Sequence, residues 1–351
     1  MQKLEEIALI LLMQLIAIQS FSKEEEEVAS VIEDFFDRQG VHSYRRGNNV
    51  WVRNKYFSAD RPTILLNSHH DTVRPNTGYT RDPLKAEIID GKLYGLGSND
   101  AGGPLVSLIA AFLHFYDRKD LKYNIVLAAT AEEEISGTGG IESIWSSLTP
   151  IDFAIVGEPT LCDMATAEKG LMVLDCVAKG KPGHAAREEG INAIYEAMRD
   201  IDWIRNYKFE KKSETLGEIK MTVTVIHAGR QHNVVPGDCE FTIDVRVTDM
   251  YTLEEILETI KQNIKSQVTP RSLRMRPSGI AEDHPLVQSA KKMGLKLYGS
   301  PTTSDQAMIP VSSVKIGPGD SARSHSADEF IYVHEIKQGI DTYIQLLDNV
   351  V

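Results

Sequence analysis

Apolar positions along this chain follow two rhythms. Val28, Val31, Ile32, Phe35 and Phe36 recur every three or four residues, the spacing of one helix face. Ahead of them Ser22-Lys-Glu-Glu25 has the form of a capping box, so a helix is predicted to open there and stop at Gly40, with Glu24 to Glu27 as its solvated first turn. Ile64-Leu65-Leu66, Asn124 to Thr130, Phe153 to Val156 and Ser313 to Ile316 are instead short and mostly apolar, as expected of strands buried on both faces. A long apolar helix is predicted from about Pro104 to Tyr116 and another near Pro285 to Tyr298. Strands alternating with helices in this way point to the α/β class.

Between about Leu171 and Ile280 the rhythm changes. Leu171 to Ala178 reads as a strand, Glu188 to Ile204 as a helix, Met221 to His227 and Glu240 to Val247 as strands, Thr252 as the cap of a further helix, and Ser272 to Arg276 as a last strand. This βαββαβ order forms a self-contained unit that can be inserted into another domain. The expected organisation is therefore a discontinuous first domain, residues 1–170 and 281–351, interrupted by a second, residues 171–280.

The run Ile7 to Ile18 is too short to span a bilayer, and Glu5 and Glu6 stand where a signal peptide carries positive charge. It is read as a buried first helix, so no membrane partner is expected. Among 351 residues the formal charge is −12, which removes the basic footprint that nucleic-acid binding requires. Cys162, Cys176 and Cys239 form no Cys-x-x-Cys pair, and reduced thiols acting as core filler in a cytoplasmic protein are expected.

Candidate chemistry gathers where the buried runs end. His69 and Asp71 follow Ile64-Leu65-Leu66; two apart on an extended chain they share a face, so Asp71 can take the ring N–H of His69 while the other nitrogen faces a metal. Gly95-Leu-Gly97-Ser-Asn-Asp100-Ala-Gly-Gly103 resembles a nucleotide loop, but Asp100 puts negative charge where a phosphate would sit and suits a cation better. Ala131-Glu132-Glu133-Glu134 and Gly157-Glu158 each follow a strand, at the edge where open α/β sheets bind ligands. With His325 these make a nitrogen and oxygen donor set, His69, Asp100, Glu134, Glu158 and His325, suited to Zn²⁺, Co²⁺ or Mn²⁺. Two divalent ions fit the charge: Asp100 bridging, His69 with Glu158 on one side, Glu134 with His325 on the other. Such a pair activates water for amide hydrolysis, and Glu133, expected to point away from Glu134 on an extended segment, is the candidate base.

Taken in order, Ser68-His69-His70-Asp71-Thr72-Val73, Gly95-x-Gly97-x-x-Asp100, Thr130-Ala-Glu-Glu133-Glu134, Gly157-Glu158-Pro159-Thr160, Gly183-His184-Ala185, Asn233-Val-Val-Pro236-Gly237 and His325-x-x-Asp-Glu329 resemble the acetylornithine deacetylase and succinyl-diaminopimelate desuccinylase family, relatives of aminoacylase and carboxypeptidase G. The resemblance is closest to acetylornithine deacetylase. It implies a mixed-sheet, dizinc-peptidase-like catalytic domain with an inserted ferredoxin-like lid and dimerisation domain, and the metal assignment above with Asp71 behind His69. It also implies His184 reaching a partner subunit's site to steady an oxyanion, and Asn233 and Arg246 contacting substrate, Arg246 through a bidentate pair with a carboxylate. Read from the residues alone, Arg246 is a surface-strand ion pair and His184 a turn histidine. Ala101-Gly102-Gly103 departs from the Met-Lys-Gly that many members carry. His70, His227, His232 and His284 are read as structural.

The expected activity is thus metal-dependent removal of the acyl group from an N-acylated amino acid, N-acetylornithine above all, by a homodimer. An N-succinyl substrate, a dipeptidase or aminopeptidase, and a non-catalytic metal- or peptide-binding relative are the alternatives.

Overall fold

The apolar runs form Thr63–His69, Asn124–Thr130, Phe153–Gly157 and Ser312–Ile316, which lie parallel in the order 124–130, 63–69, 153–157, 312–316. Two-residue alternation sorts their side chains between two cores. Ile64, Leu66, Ile125, Leu127 and Ile155 pack with the helices Gln2–Ile16, Glu26–Arg38, Gly103–Phe115 and Val333–Asp348. Leu65, Val126, Ala128, Ala154 and Val156 pack against Ile141–Leu148. Burial on both faces explains why the runs are apolar throughout rather than alternating. Antiparallel Asn49–Arg53 and Ser43–Arg46 continue one side, making the sheet mixed. Because the four central strands are parallel, the segments that follow them leave from one edge.

This computed structural model describes residues 2–148, 150–187 and 189–351. The chain divides into two compact units, one comprising residues up to Ala167, Gly279–Tyr298 and Ser304–Val351, the other Glu168–Ser278 with Gly299–Thr303. In the second, Gly170–Lys179, Lys220–Ala228, Asp238–Val247 and Gln267–Pro270 form an antiparallel sheet in the order 220–228, 238–247, 170–179, 267–270. Ala193–Asn206 and Leu253–Asn263 complete the βαββαβ order. Here alternation is strict: Met172, Leu174, Cys176, Phe241, Ile243 and Val245 join the helices' Ala193, Ala197, Ile256 and Ile260 in one core. The three cysteines are free and buried, and burial pushes Cys162 up to about 11 and Cys176 up to about 12.

Several expectations are corrected. The Ser22–Glu25 capping box does not form: the helix is Glu26–Arg38, its N-cap Glu25 makes no side-chain cap, and the Ser22 hydroxyl donates to Asp71 at 2.7 Å. Lys23, at φ +74°, turns the chain away from the helix axis, so a four-residue pattern without helical backbone does not cap. The helix placed at Glu188 to Ile204 spans Ala193–Asn206, where the Asn192 side chain caps it; Glu188 lies outside the described residues. The last strand is Gln267–Pro270 rather than Ser272 to Arg276, and the Pro285 helix ends at Lys292, where Gly294 takes φ +74°. By contrast Thr252 does cap Leu253–Asn263 in a full capping box with Glu255.

Candidate metal centre

His69 is the last residue of its strand and is buried. Its Nδ1 lies 3.0 Å from the carbonyl oxygen of Asp71 and 3.4 Å from that residue's Oδ1. The main-chain carbonyl is the nearer partner of the ring N–H, with the expected carboxylate oxygen beside it, and Nε2 is left facing the acids. That atom lies 3.4 Å from Asp100 Oδ1, 3.8 Å from Glu158 Oε1 and 3.9 Å from Glu133 Oε2.

Asp100 reaches the same point from the Gly-rich loop, a kinked stretch at Ser98–Gly102 with non-helical backbone at Asp100 and Ala101 that runs into Gly103–Phe115. A Cβ at Gly102 would collide with the Gly97 carbonyl oxygen and Leu12 Cδ1, which explains a glycine where many members of the resembled family carry lysine. The loop is held by Glu329, whose carboxylate accepts the N–H groups of Gly97, Asn99 and Asp100, each at 2.9 Å. Burial and then the nearby Asp100 push Glu329 up to about 8.

Ala131 to Glu134 is a turn, with Glu132 at φ +56°, and not the extended segment expected. Asp71 organises it: Oδ1 accepts the Glu133 N–H at 3.0 Å and Oδ2 the Glu134 N–H at 3.2 Å. Asp71 thus anchors the acids as well as backing His69. Glu134 then meets His325, which sits at φ +58°: Nε2 lies 2.9 Å from Glu134 Oε2 and 3.7 Å from Asp100 Oδ2.

Asp100 accordingly presents Oδ1 to the His69 side and Oδ2 to the His325 side, with Glu158 on the first and Glu134 on the second. His69, Asp100 and Glu134 place ligand atoms within 4.8 Å of one another, a grouping able to hold a metal ion. With no thiolate in the set, the donors suit a borderline or hard divalent cation. The electrostatics agree. Burial raises Glu133 well above the ordinary range and Glu158 to about 8, and neighbouring carboxylates add to both. Burial alone would lower His69, but Glu133, Asp100, Asp71 and Glu158 outweigh it and hold it well above its usual value. The hydrogen bond His325 donates to the Glu134 carboxylate lifts His325 to about 9. A group of acids this dense binds cations or protons.

Sequence reasoning missed three supporting residues. Asp305, read only as part of a polar turn, is buried and its Oδ2 accepts from Asn67 Nδ2 at 2.8 Å and Thr130 Oγ1 at 2.7 Å, beside Glu133. Glu329 stood inside a motif without a role, and Glu25 passed for a solvated acid. Asp305 stands in a polar turn and Glu329 beside Asp328, so none of the three carried a signal in its own stretch of sequence. His70, read as structural, gives Nε2 to the Asn48 carbonyl at 2.9 Å.

The remaining predicted residues belong to the second unit. His184 is exposed and its Nδ1 accepts the Ala186 N–H at 3.1 Å. The Asn233 carbonyl accepts from Ala185. Arg246 spends Nε and Nη2 on Asp244 at 2.8 and 3.0 Å, the strand ion pair read from the residues alone, leaving Nη1 on Thr303 Oγ1 at 3.3 Å.

The model of peptidase family M20/M25/M40 matches residues 65–349, and the chain belongs to that family. It is an enzyme of the metal-dependent, amide-hydrolysing kind. It is 31% identical over 296 residues to an acetylornithine deacetylase of Pectobacterium carotovorum, covering 78% of this chain and 76% of that one. A [LysW]-lysine/[LysW]-ornithine hydrolase of Saccharolobus islandicus is 28% identical over 349 residues, 96% and 94% of the two chains. Among solved structures, an M20 family metallo-carboxypeptidase from Sulfolobus solfataricus superposes with a TM-score of 0.78 at 16% identity, covering 98% of this chain and 99% of that one. The Bacillus subtilis YXEP protein, a dinuclear metal binding peptidase of the M20 family, does so with 0.75 at 14%, covering 99% and 98%. The fold is theirs. No helix among the described residues is long and apolar enough to cross a membrane.

Proposed function

We propose that this enzyme hydrolyses the amide of an N-acylated amino acid, with N-acetylornithine as the preferred substrate and ornithine and acetate as products. The observation that carries the reading is the convergence of two histidines on opposite oxygens of Asp100, with Glu158 and Glu134 each on its own side. His69 with Glu158 and His325 with Glu134 would each hold one divalent ion, zinc or cobalt, with Asp100 shared between them. When bound, such ions acidify water and polarise the acyl carbonyl.

Glu133 is close to His69 without a position of its own in either half, and burial has raised its proton affinity. It takes the proton of the attacking water as the water oxygen bonds to the acyl carbon, then passes that proton to the nitrogen as the C–N bond breaks. The Asp71 grip on the Glu133 N–H holds that carboxylate in place for both transfers.

His184 is assigned to oxyanion stabilisation in a partner subunit, and Asn233 and Arg246 to substrate contact. Support for a homodimer comes from the second unit's sheet, which ends at Lys220–Ala228 with Val225 and Ile226 exposed along an unpaired edge, the kind of edge that pairs with another chain. On this reading residues 171–280 are a lid and dimerisation domain, and the enzyme is cytoplasmic and acts in arginine biosynthesis.

A second reading keeps the chemistry and changes the acyl group: release of lysine or ornithine from [LysW], the activity named for the relative that matches nearly the whole chain. Amine release measured on N-acetylornithine, N-succinylornithine, N-succinyl-diaminopimelate, a dipeptide and [LysW]-ornithine, with and without added Zn²⁺ or Co²⁺, tests both. Metal-dependent turnover of N-acetylornithine supports the first reading and of [LysW]-ornithine alone the second; no turnover with metal bound overturns both.

A further inference from the structure

We infer that Glu25, far from the metal centre in sequence, is a positioning residue for Glu133; the inference rests on the acid/base role proposed above for Glu133. Four consecutive N–H groups of the Ala131–Glu134 turn are received by side chains from three other segments. Ala131 donates to Asn49 Oδ1 at 3.1 Å, Glu132 to Glu25 Oε1 at 3.2 Å, and Glu133 and Glu134 to the two oxygens of Asp71. The run belongs to no helix or strand, so these acceptors, together with the Gly137 and Ser136 N–H groups donated to the Glu132 and Glu133 carbonyls, decide which way its N–H groups face and hence which way its side chains leave.

Glu132 is the strained member, with φ +56°. A residue with a Cβ stays in that region only where its surroundings over-determine it. Glu25 supplies that constraint from a completely buried position: its Oε1 also accepts the Lys23 N–H at 2.6 Å, and its Oε2 accepts Asn48 Nδ2 at 2.8 Å. The result sorts three adjacent acids. Glu132 turns back and accepts the Gly139 N–H at 3.2 Å, while Glu133 and Glu134 go to His69 and His325. Without the Glu25 acceptor, Glu132 is free to relax to extended backbone, which re-aims Glu133 while the ligand donors from the other segments stay in place. What the site needs from position 25 is an acceptor oxygen facing the Glu132 N–H, not a negative charge. Glutamine can provide it, its amide group then facing a flipped Asn48.

The test compares Glu25→Gln, Glu25→Met and Glu25→Asp with the wild-type enzyme for kcat, KM, bound metal and amide hydrogen exchange over residues 131–134. The expected result is at least tenfold lower kcat for Met, which keeps bulk without oxygen, with KM and bound metal unchanged and faster exchange in the turn; Gln stays within threefold of wild type. Should the Met variant fail to fold, Asp, whose oxygen is withdrawn by one methylene, must show the same kcat loss with metal retained. Wild-type kcat in Met or Asp, or a Gln variant as damaged as Met, overturns the inference. If the wild-type protein hydrolyses no substrate, the proposed function fails, and the exchange data still decide whether Glu25 holds the turn.

Discussion

Asp71 Oδ1 accepts the Glu133 N–H at 3.0 Å, and the Asp71 carbonyl, 3.0 Å from His69 Nδ1, fixes the imidazole from the other end of the same residue. One residue thus orients a metal-ligand candidate through its backbone and the candidate base through its side chain. Asp71→Ala is expected to lower kcat by about 10- to 100-fold, the usual cost of losing an outer-shell partner. Metal affinity should fall as well, because Asp71 Oδ2 also holds the N–H of the ligand candidate Glu134, while His69 stays oriented by the carbonyl; wild-type kcat and wild-type metal affinity in this variant would contradict the role.

Glu133→Gln keeps the size of the side chain and removes its ability to hold a proton. Turnover is expected to fall by about 10²- to 10⁴-fold, the typical contribution of a positioned acid/base. Metal content measured by atomic emission should equal that of the wild type. Undiminished turnover would remove Glu133 from the mechanism.

Metal-free protein should lose stability as pH rises from about 4.5 to 9. Glu158 and Glu329 are held up to about 8 from 4.5 by burial, and His325 up to about 9 from 6.5 by its bond to Glu134. Each binds its proton more tightly folded than unfolded, so its contribution is complete below the unfolded value and disappears as pH passes the folded one. Asp71 and Asp100 are shifted downward from 3.8, and their effect falls in the acid range, outside this window. Divalent metal requires deprotonated ligands, so the rise in melting temperature on adding Zn²⁺ should grow with pH. A metal-free melting temperature that is flat or rising over this interval would refute the assignment.

Asp305→Ala strips the acceptor from buried Asn67 Nδ2 and the shorter of the Thr130 Oγ1 contacts, leaving that hydroxyl the Ser68 carbonyl at 3.2 Å. An orphaned buried donor costs about 1–3 kcal/mol, so a clear fall in the urea midpoint is expected, with Asp305→Asn milder because one oxygen remains. Equal midpoints for Ala and wild type would show that the pair finds other partners.

The local order of residues determined much of this protein. Ile64-Leu65-Leu66 and Asn124 to Thr130 had to be strands buried on both faces, because a continuous apolar run of that length has no polar side to give to water. Acids and histidines placed directly after such strands had to arrive at one sheet edge, because parallel strands end together; this made His69, Glu134 and Glu158 legible one by one. The βαββαβ order of the second unit was legible because two-residue and helical periodicities alternate there, although the first helix and the last strand lie a few residues from where the periodicity put them.

Tertiary structure decided what depends on backbone direction at single residues and on partners distant in the chain. Whether Ala131 to Glu134 runs straight or turns rests on φ at Glu132, and that is set by Glu25, Asn49 and Asp71, none of them neighbours in sequence. Glu25 looked like an exposed first-turn acid because helical periodicity reports which face a residue occupies, not which loop lies above it. Asp305 and Glu329 were invisible as supports for a related reason: a carboxylate that receives N–H or O–H groups from remote segments carries no pattern in its own, and only folding brings the donors within reach.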